Sequence, residues 1–438
     1  MLTGKNYVEQ FWAPCYTCFG DGNETSGVCL SCLVTCHKDH HVGSTRNSRF
    51  FCDCVSFSLC KQTQLTQSTQ STQSTQPTQP TQAMQCTNDL AKKLFDSMTK
   101  ANQLVYSPFS IEYILSLLHL GAVDNTYDQL TNLLGRETKM EHLLAMVKTF
   151  NDESVKMANA LIVNKNNLSV DPSYVEIVKN LALIMNRDFS DVKMVADEAN
   201  AFIMENTNNL ITDMINPSML NDHVMMLLVN TIYFKSVWAK PFKKLNTQQE
   251  IFSNASIMVD MMMQTSTVKY FENSQVQLCN LPYADNKYCM VVVLPKYSTV
   301  LTDFMKYLTN PPETKDTYVE LHIPKFRQQK RVDLIPIMKE NGLTDIFCEY
   351  SKLDKMITPG SLSWASVSSF CHEAVVIVDE VGTEAAAAAA TSCAVLTTCM
   401  SAEPEPVIFY ANHPFMYAIR HLPTNSLMFV GSFYGLND

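Results

Sequence analysis

Apolar residues recur at helical spacing across 87–99, where Leu90, Leu94, Phe95 and Met98 fall on one face; that period predicts an amphipathic helix. A second, almost wholly apolar stretch at 110–120 predicts another helix, stopped by Gly121. A third is expected over 197–214, with Ala201, Phe202, Met204 and Leu210 as its core positions. Past that point the pattern changes. Short runs rich in β-branched and aromatic residues at 225–234, 290–294, 318–323, 374–378 and 426–433 read as strands. Helices early and strands late predict an α+β domain built on a large mixed sheet. One segment has neither period: 62–82 is a Ser/Thr/Gln/Pro tract that buries too little apolar surface to offset its ordering entropy. It divides the chain into a small module at 1–61, a linker at 62–85 and a large domain at 86–438.

The stretch from Glu380 to Met400 holds six consecutive alanines, 385–390, directly after Gly382-Thr383-Glu384. Alanine has the highest helix propensity, so local preference favours a surface helix. The β-forming Ala374-Val-Val-Ile-Val378 before it, and Pro404 and Pro406 after it, favour instead a small-residue ribbon that leaves a strand and later enters a sheet. The local pattern leaves both readings open.

Composition narrows the class. With 46% hydrophobic and 17% charged residues over 438 positions, the chain suits a globular protein with a sizeable core. Its 43 acidic against 33 basic residues, a net charge of −10, argue against nucleic acid as a partner. No stretch of about 20 apolar residues suggests a membrane span, and the first residues lack a basic lead into an apolar run. The expected compartment is the cytoplasm, or the nucleus, where cysteines stay reduced.

Eight of the 15 cysteines lie in the first 60 residues, and such clustering without a secretory lead favours metal over disulfides. The candidate ligands are Cys15, Cys18, Cys29, Cys32, Cys36, His37, His40 (or His41), Cys52 and Cys54. Thiolates and imidazoles at this spacing suit tetrahedral zinc, and nine ligands exceed the four of one site. Two or three structural ions, some sharing a thiolate, are therefore expected, and so short a module needs metal to fold. The strings Cys15-Tyr-Thr-Cys18, Gly27-Val-Cys29-Leu-Ser-Cys32, Thr35-Cys36-His37-Lys-Asp-His40 and Arg49-Phe-Phe-Cys52-Asp-Cys54 resemble the UBR box. That resemblance implies capture of peptide N-termini in the ubiquitin pathway. No cysteine precedes Cys15, and Val55 stands where that family usually has glycine.

Nine strings in the large domain, in order, resemble a serpin of the intracellular ovalbumin-like or poxviral type. They are Ser107-Pro-Phe-Ser110-Ile, Leu117-Leu-His-Leu-Gly-Ala122, Val229-Asn230-Thr-Ile-Tyr-Phe-Lys-Ser-Val-Trp238, Val259-Asp-Met-Met-Met263 and Leu281-Pro-Tyr283. Leu294-Pro295, Ile323-Pro-Lys-Phe326, Val378-Asp-Glu-Val-Gly-Thr-Glu-Ala385 and Asn412-His-Pro-Phe415 complete the set. The resemblance implies helices around three β-sheets with an exposed reactive loop. It implies no catalytic residue, but a suicide inhibitor whose cut loop inserts as a new strand while it still carries the protease. Under it, Gly382, Thr383, Glu384, Ala385, Ala386 and Ala387 become the hinge, and the alanine run is read as loop. Counting as the family does gives Leu396-Thr397 as the reactive bond, with cleavage as far along as Met400 left open. Ser107, Ser110, Asn230 and His372 map to the polar shutter; Trp238, Lys325 and Glu380 map to the breach where the loop enters. The chain departs from the family at Asp124 or Asn125 and at Ser236, where glycine is usual, and in Gly431-Ser-Phe-Tyr-Gly-Leu near its end.

The expected function is inhibition of an intracellular serine, or papain-like cysteine, protease through 380–403. The alternative is a non-inhibitory scaffold whose zinc module binds peptide N-termini.

Overall fold

The computed structural model describes residues 8–14, 27–29, 46–50, 82–98, 103–150, 154–253, 257–297, 301–358, 365–383 and 405–435. The chain forms two compact units, Met1–Gln79 and Pro80–Asp438. In the first, β1 (Val8–Pro14) is flanked by β2 (Gly27–Cys29) and β3 (Arg46–Phe50), both antiparallel to it. The expected zinc ligands lie outside the described residues, except that the backbone of Cys29 ends β2.

The second unit opens with α1 (Gln82–Met98), β4 (Leu104–Tyr106), α2 (Pro108–Gly121), α3 (Asp124–Leu134) and α4 (Met140–Phe150). There follow β5 (Val155–Asn164), α5 (Pro172–Val178), β6 (Leu183–Arg187), α6 (Val192–Asn206), β7 (Met226–Phe234) and β8 (Ser236–Val237). Next come β9 (Gln248–Phe252), β10 (Ile257–Glu272), β11 (Val276–Pro282), β12 (Tyr288–Pro295) and α7 (Met305–Thr309). The chain ends with β13 (Lys315–Pro324), β14 (Phe326–Asp333), α8 (Ile335–Glu340), β15 (Val367–Val378), β16 (Gly382–Thr383), β17 (Val407–Tyr410), β18 (Phe415–His421) and β19 (Ser426–Phe433). Because α1 begins at Gln82, the last four residues assigned to the linker belong to a helix. Among the described residues no helix is long and apolar enough to cross a membrane.

Among the described residues of this second unit, hydrogen bonding joins the strands into two sheets, not one large sheet or three. The nine-stranded sheet runs β17-β13-β10-β11-β12-β18-β19-β4, with β9 on β10. It is continuous because the sixteen-residue β10 pairs with β9 and β13 and then also with β11. The seven-stranded sheet runs β6-β5-β7-β15-β16-β8, with β14 on β15. At its centre β7 and β15 are parallel, from Val367 opposite Met226 to Val375 opposite Tyr233.

Both faces of that pair are covered, which is why its strands read as continuous apolar runs rather than alternating ones. Met226, Leu228, Ile232, Phe370, Ala374 and Val376 face the main core. Leu227, Val229, Cys371 and Val375 face a second core that α6 fills with Val195, Ala196, Ala199 and Ile203. The main core includes α2, which is buried on nearly every side. Its N-terminus is fixed by Ser107, whose side chain accepts from the Ser110 amide at 3.1 Å, and by Pro108 in the first turn.

The helix expected at 197–214 is displaced. It starts after Asp191, whose carboxylate accepts from the Met194 amide at 3.0 Å, and ends at Asn206. Asn208 and Asn209, at φ 51° and 60°, then turn the chain out through left-handed backbone. Ala201 and Met204 are exposed, and Phe202 and Leu210 half-buried, because the apolar period sits on Val195, Ala199 and Ile203 instead. At Asp124, one of the positions where the family has glycine, φ is 49°, so the turn keeps the glycine-like conformation with a residue that tolerates it. Ile203→Ala should cost about 2–5 kcal/mol in urea unfolding, whereas Ala201→Ser should stay within about 0.5 kcal/mol.

Candidate functional site

Beyond Tyr233 and Val375 the central parallel strands part. β15 runs on to Val378, and the β7 side continues through Lys235 into β8. Into this opening the chain turns back. Asp379 closes the turn, its carboxylate accepting from the amides of Val381 at 2.8 Å and Gly382 at 3.1 Å. Gly382 and Thr383 then form β16, antiparallel to both neighbours: Thr383 lies opposite Val378 on one side and Ser236 on the other. A Cβ at Gly382 would stand 2.1 Å from the Ser236 carbonyl oxygen, so no other residue fits this approach without a backbone shift.

The walls of the opening come from residues that flank β8, β9, β11 and β13. The Trp238 indole donates to the Asp379 carbonyl at 2.9 Å and stacks on Tyr283 at 4.6 Å between centroids. Lys325 Nζ lies 3.2 Å from Glu380 Oε2, while the Thr247 hydroxyl donates to Glu380 Oε1 at 3.0 Å. Burial alone would raise the Glu380 carboxyl, but hydrogen bonds from the backbone, Lys325 and Thr247 outweigh it and hold it below the usual range. The Tyr283 and Thr383 hydroxyls are 2.6 Å apart, both buried.

Six residues further down β15, about 20 Å from Thr383, a second polar group spans the seam. His372 of β15 sits opposite Asn230 of β7. The Ser107 amide donates to His372 Nε2 at 3.1 Å, which fixes the proton on Nδ1, and Nδ1–H donates to Asn230 Oδ1 at 2.6 Å. The Ser110 hydroxyl also donates to Asn230 Oδ1, at 2.9 Å. Asn230 Nδ2 donates to the Ser110 carbonyl at 3.1 Å and to Asn159 Oδ1 at 2.6 Å. These side chains are buried, and burial pushes the His372 imidazole down to about 3.

The structure therefore gathers Ser107, Ser110, Asn230 and His372 into one network, and Trp238, Lys325, Glu380, Gly382 and Thr383 into another. Glu384, Ala385, Ala386 and Ala387 of the expected hinge, and the Leu396-Thr397 bond, lie outside the described residues. Sequence reasoning did not single out Asn159, Thr247 or Asp379, and it gave Tyr283 no role. Asn159 had a signal, as the one amide within the apolar run Met157-Ala-Asn-Ala-Leu-Ile-Val163.

A profile described as Serpin (serine protease inhibitor) matches residues 85–435. The chain belongs to the serpin family. It is 34% identical over 370 residues to the uncharacterised serpin-like protein R700 of Acanthamoeba polyphaga mimivirus, covering 80% of this chain and 89% of that one. It is 31% identical to human antithrombin-III over 77% of each chain, and 29% identical to human Serpin B4 over 76% of this chain and 94% of that one. Its fold matches Serpin48 of the insect Tenebrio molitor with a TM-score of 0.72 at 22% identity, over 81% of this chain and 97% of that one. Uncleaved ovalbumin matches with a TM-score of 0.69 at 21% identity, over 80% and 98%. The serpin match ends short of the first unit, which carries no part of it.

The buried neutral His372 gives a pH test. The unfolded chain takes up a proton on this residue below about 6.5 and the folded one only near 3. Stability is thus lost as pH falls through that window, by up to about 1.4 kcal/mol per pH unit. Urea midpoints of the wild type should fall more steeply over this range than those of His372→Gln, which keeps a donor and an acceptor but does not titrate. Parallel slopes would rule out this assignment.

Proposed function

We propose that the chain is a suicide inhibitor of serine, or papain-like cysteine, proteases acting through 380–403. The observation that carries this reading is β16: two residues already seated antiparallel between strands that are otherwise parallel. A strand can enter a parallel seam and pair on both sides, and here its first rung is in place. Extended without slip, the rung of Thr383 with Val378 and Ser236 brings Ala389 opposite His372 on one side and Asn230 on the other. Those two residues are themselves paired across the seam. The two neighbours thus dictate one register.

That register gives the composition of the segment a meaning. Strand residues alternate faces, and Thr383 points to the main core with Tyr283. The same face would take Ala385, Ala387, Ala389, Thr391, Cys393 and Val395; the α6 face would take Glu384, Ala386, Ala388, Ala390, Ser392, Ala394 and Leu396. The protease nucleophile adds to the Leu396 carbonyl carbon, and the Thr397 amine leaves with a proton, so the protease is esterified, or thioesterified, to Leu396. Zipping thirteen residues at about 3.4 Å each would then carry Leu396 about 44 Å along the sheet. Displacement of the acyl-enzyme before water reaches it is what inhibition requires.

A panel of chymotrypsin-like, trypsin-like and papain-like enzymes, read by SDS-stable complex and mass spectrometry of the cut, tests this. Thr383→Arg, which cannot seat its side chain beside Tyr283, should leave cleavage intact and abolish the complex. Leu396→Arg should move complex formation to a trypsin-like enzyme. Quantitative turnover of the wild type as a simple substrate by every enzyme of the panel would sink the proposal.

The nine Cys and His positions support a zinc-bearing role for 1–61. The full chain should carry about two to three zinc ions by elemental analysis. Cys15→Ser with Cys18→Ser should lower that number without changing protease inhibition; a chain free of zinc would refute it.

A further inference from the structure

The alanine run has a weakness as a strand. Six identical small residues, 385–390, offer nothing by which one register differs from a register slipped by two. Between Gly382 and Ala390, Thr383 is the one residue with a hydroxyl, and this hydroxyl sits 2.6 Å from that of Tyr283.

Tyr283 is held for the task by elements outside the moving segment. It directly follows β11, a strand of the nine-stranded sheet, and bridges to Trp238 through the backbone. Its ring stacks on Trp238, with interplanar angle 13°, and meets Phe234 edge-on at 5.0 Å. Its amide donates to the Tyr288 carbonyl at 3.1 Å. Among the described residues Thr383 is the one hydrogen-bond partner of its buried hydroxyl. A slip by two would set Ala385 there and a slip by one would turn the segment over; either leaves a buried phenol unpaired, which costs more than a hydrogen bond is worth.

We propose that Tyr283 is the positioning residue that docks Thr383 at the mouth of the seam and so fixes the register in which the alanine run enters. This deepens the inhibitor reading and rests on it for the meaning of insertion, though the docking itself does not require a protease. The partnership works as a key: one hydroxyl on the fixed wall, one on the strand that moves, and no second hydroxyl until Thr391.

The test uses the full chain as wild type, Tyr283→Phe, Thr383→Val and the double variant. Phe keeps the ring and its stack on Trp238; Val keeps the shape of Thr. In hydrogen–deuterium exchange, the peptide over 379–383 should exchange about tenfold faster in each single variant, with no further gain in the double and no change in peptides over β5. With a protease that the wild type traps, each single variant should lower the ratio of SDS-stable complex to cleaved chain about threefold at an unchanged rate of cleavage. The double variant should be no worse than either. Unchanged exchange in Tyr283→Phe, or effects of the two substitutions that multiply, would overturn the proposal. If the wild type traps no protease, the inhibitor reading fails alone, and the exchange cycle still decides whether Tyr283 docks Thr383.

Discussion

The structure turns on the parallel pairing of β7 with β15. Two neighbouring parallel strands leave room, in hydrogen-bond terms, for one antiparallel strand between them, and inserting it replaces one ladder by two. Everything described at the site bears on that seam. β16 holds its upper end apart, Trp238, Lys325, Glu380 and Tyr283 line the opening, and the His372–Asn230 bond closes it lower down. Ser110 and Asn159 brace Asn230 from below and from the next strand, so parting the seam disturbs one connected polar group rather than a single bond.

The balance of that exchange can be bounded. Ordering a residue costs about 1–2 kcal/mol, and a net hydrogen bond returns about 0.5–1.5 kcal/mol, so the extra ladder alone comes close to cancelling. What tips it is burial. The alanines contribute little there, whereas a residue such as Val395 brings about 1.5–3 kcal/mol when buried. The two halves of the segment then have different physical roles. Under the proposed insertion, residues 385–390 would keep the entry unobstructed, and Thr391, Cys393 and Val395 would supply the gain once the entry is past His372.

The seam strands were legible in the sequence because burial on both faces writes an unbroken apolar run, as in Met226–Phe234 and Ala374-Val-Val-Ile-Val378. The same logic failed for α6. Its true face, Val195, Ala196, Ala199 and Ile203, is small and only mildly apolar, so Phe202 and Met204 on the side drew the period toward themselves. That β10 is long enough to tie what would be separate sheets together is a property of pairing, invisible in any one run. Family strings located Trp238, Lys325 and Glu380, and the overall resemblance His372, but not the residues that complete their hydrogen bonding. Thr247 sits in polar surroundings where nothing in a linear pattern distinguishes it, and Asp379 stood inside a recognised string without a role. Tyr283 stood inside a recognised string, yet its function follows only from a contact a hundred residues away along the chain.

α6 sets the last constraint. Val195, Ala199 and Ile203 share one buried cluster with Ile211, Met214, Ile215 and Leu220 of the segment that follows, and with Leu227, Val229, Cys371 and Val375 of the seam, so the outer face of the seam is covered as well as the inner one. A strand entering there must be small on both faces, and alternation alone would not have required this of an open sheet. In the register proposed above, the positions between Glu384 and Leu396 that would turn toward α6 are Ala386, Ala388, Ala390, Ser392 and Ala394, none larger than serine, with Glu384 and Leu396 bounding them on the same face, while the opposite face would regain β-branched bulk from Thr391 onward. A requirement for small residues limited to the inner face would have left the outer positions free to vary in size. Under the proposed insertion a covered seam would favour this pattern: α6 and the segment after it would limit the outer side chains between Glu384 and Leu396, and the polar group at His372 would limit the inner ones only until the strand has passed it.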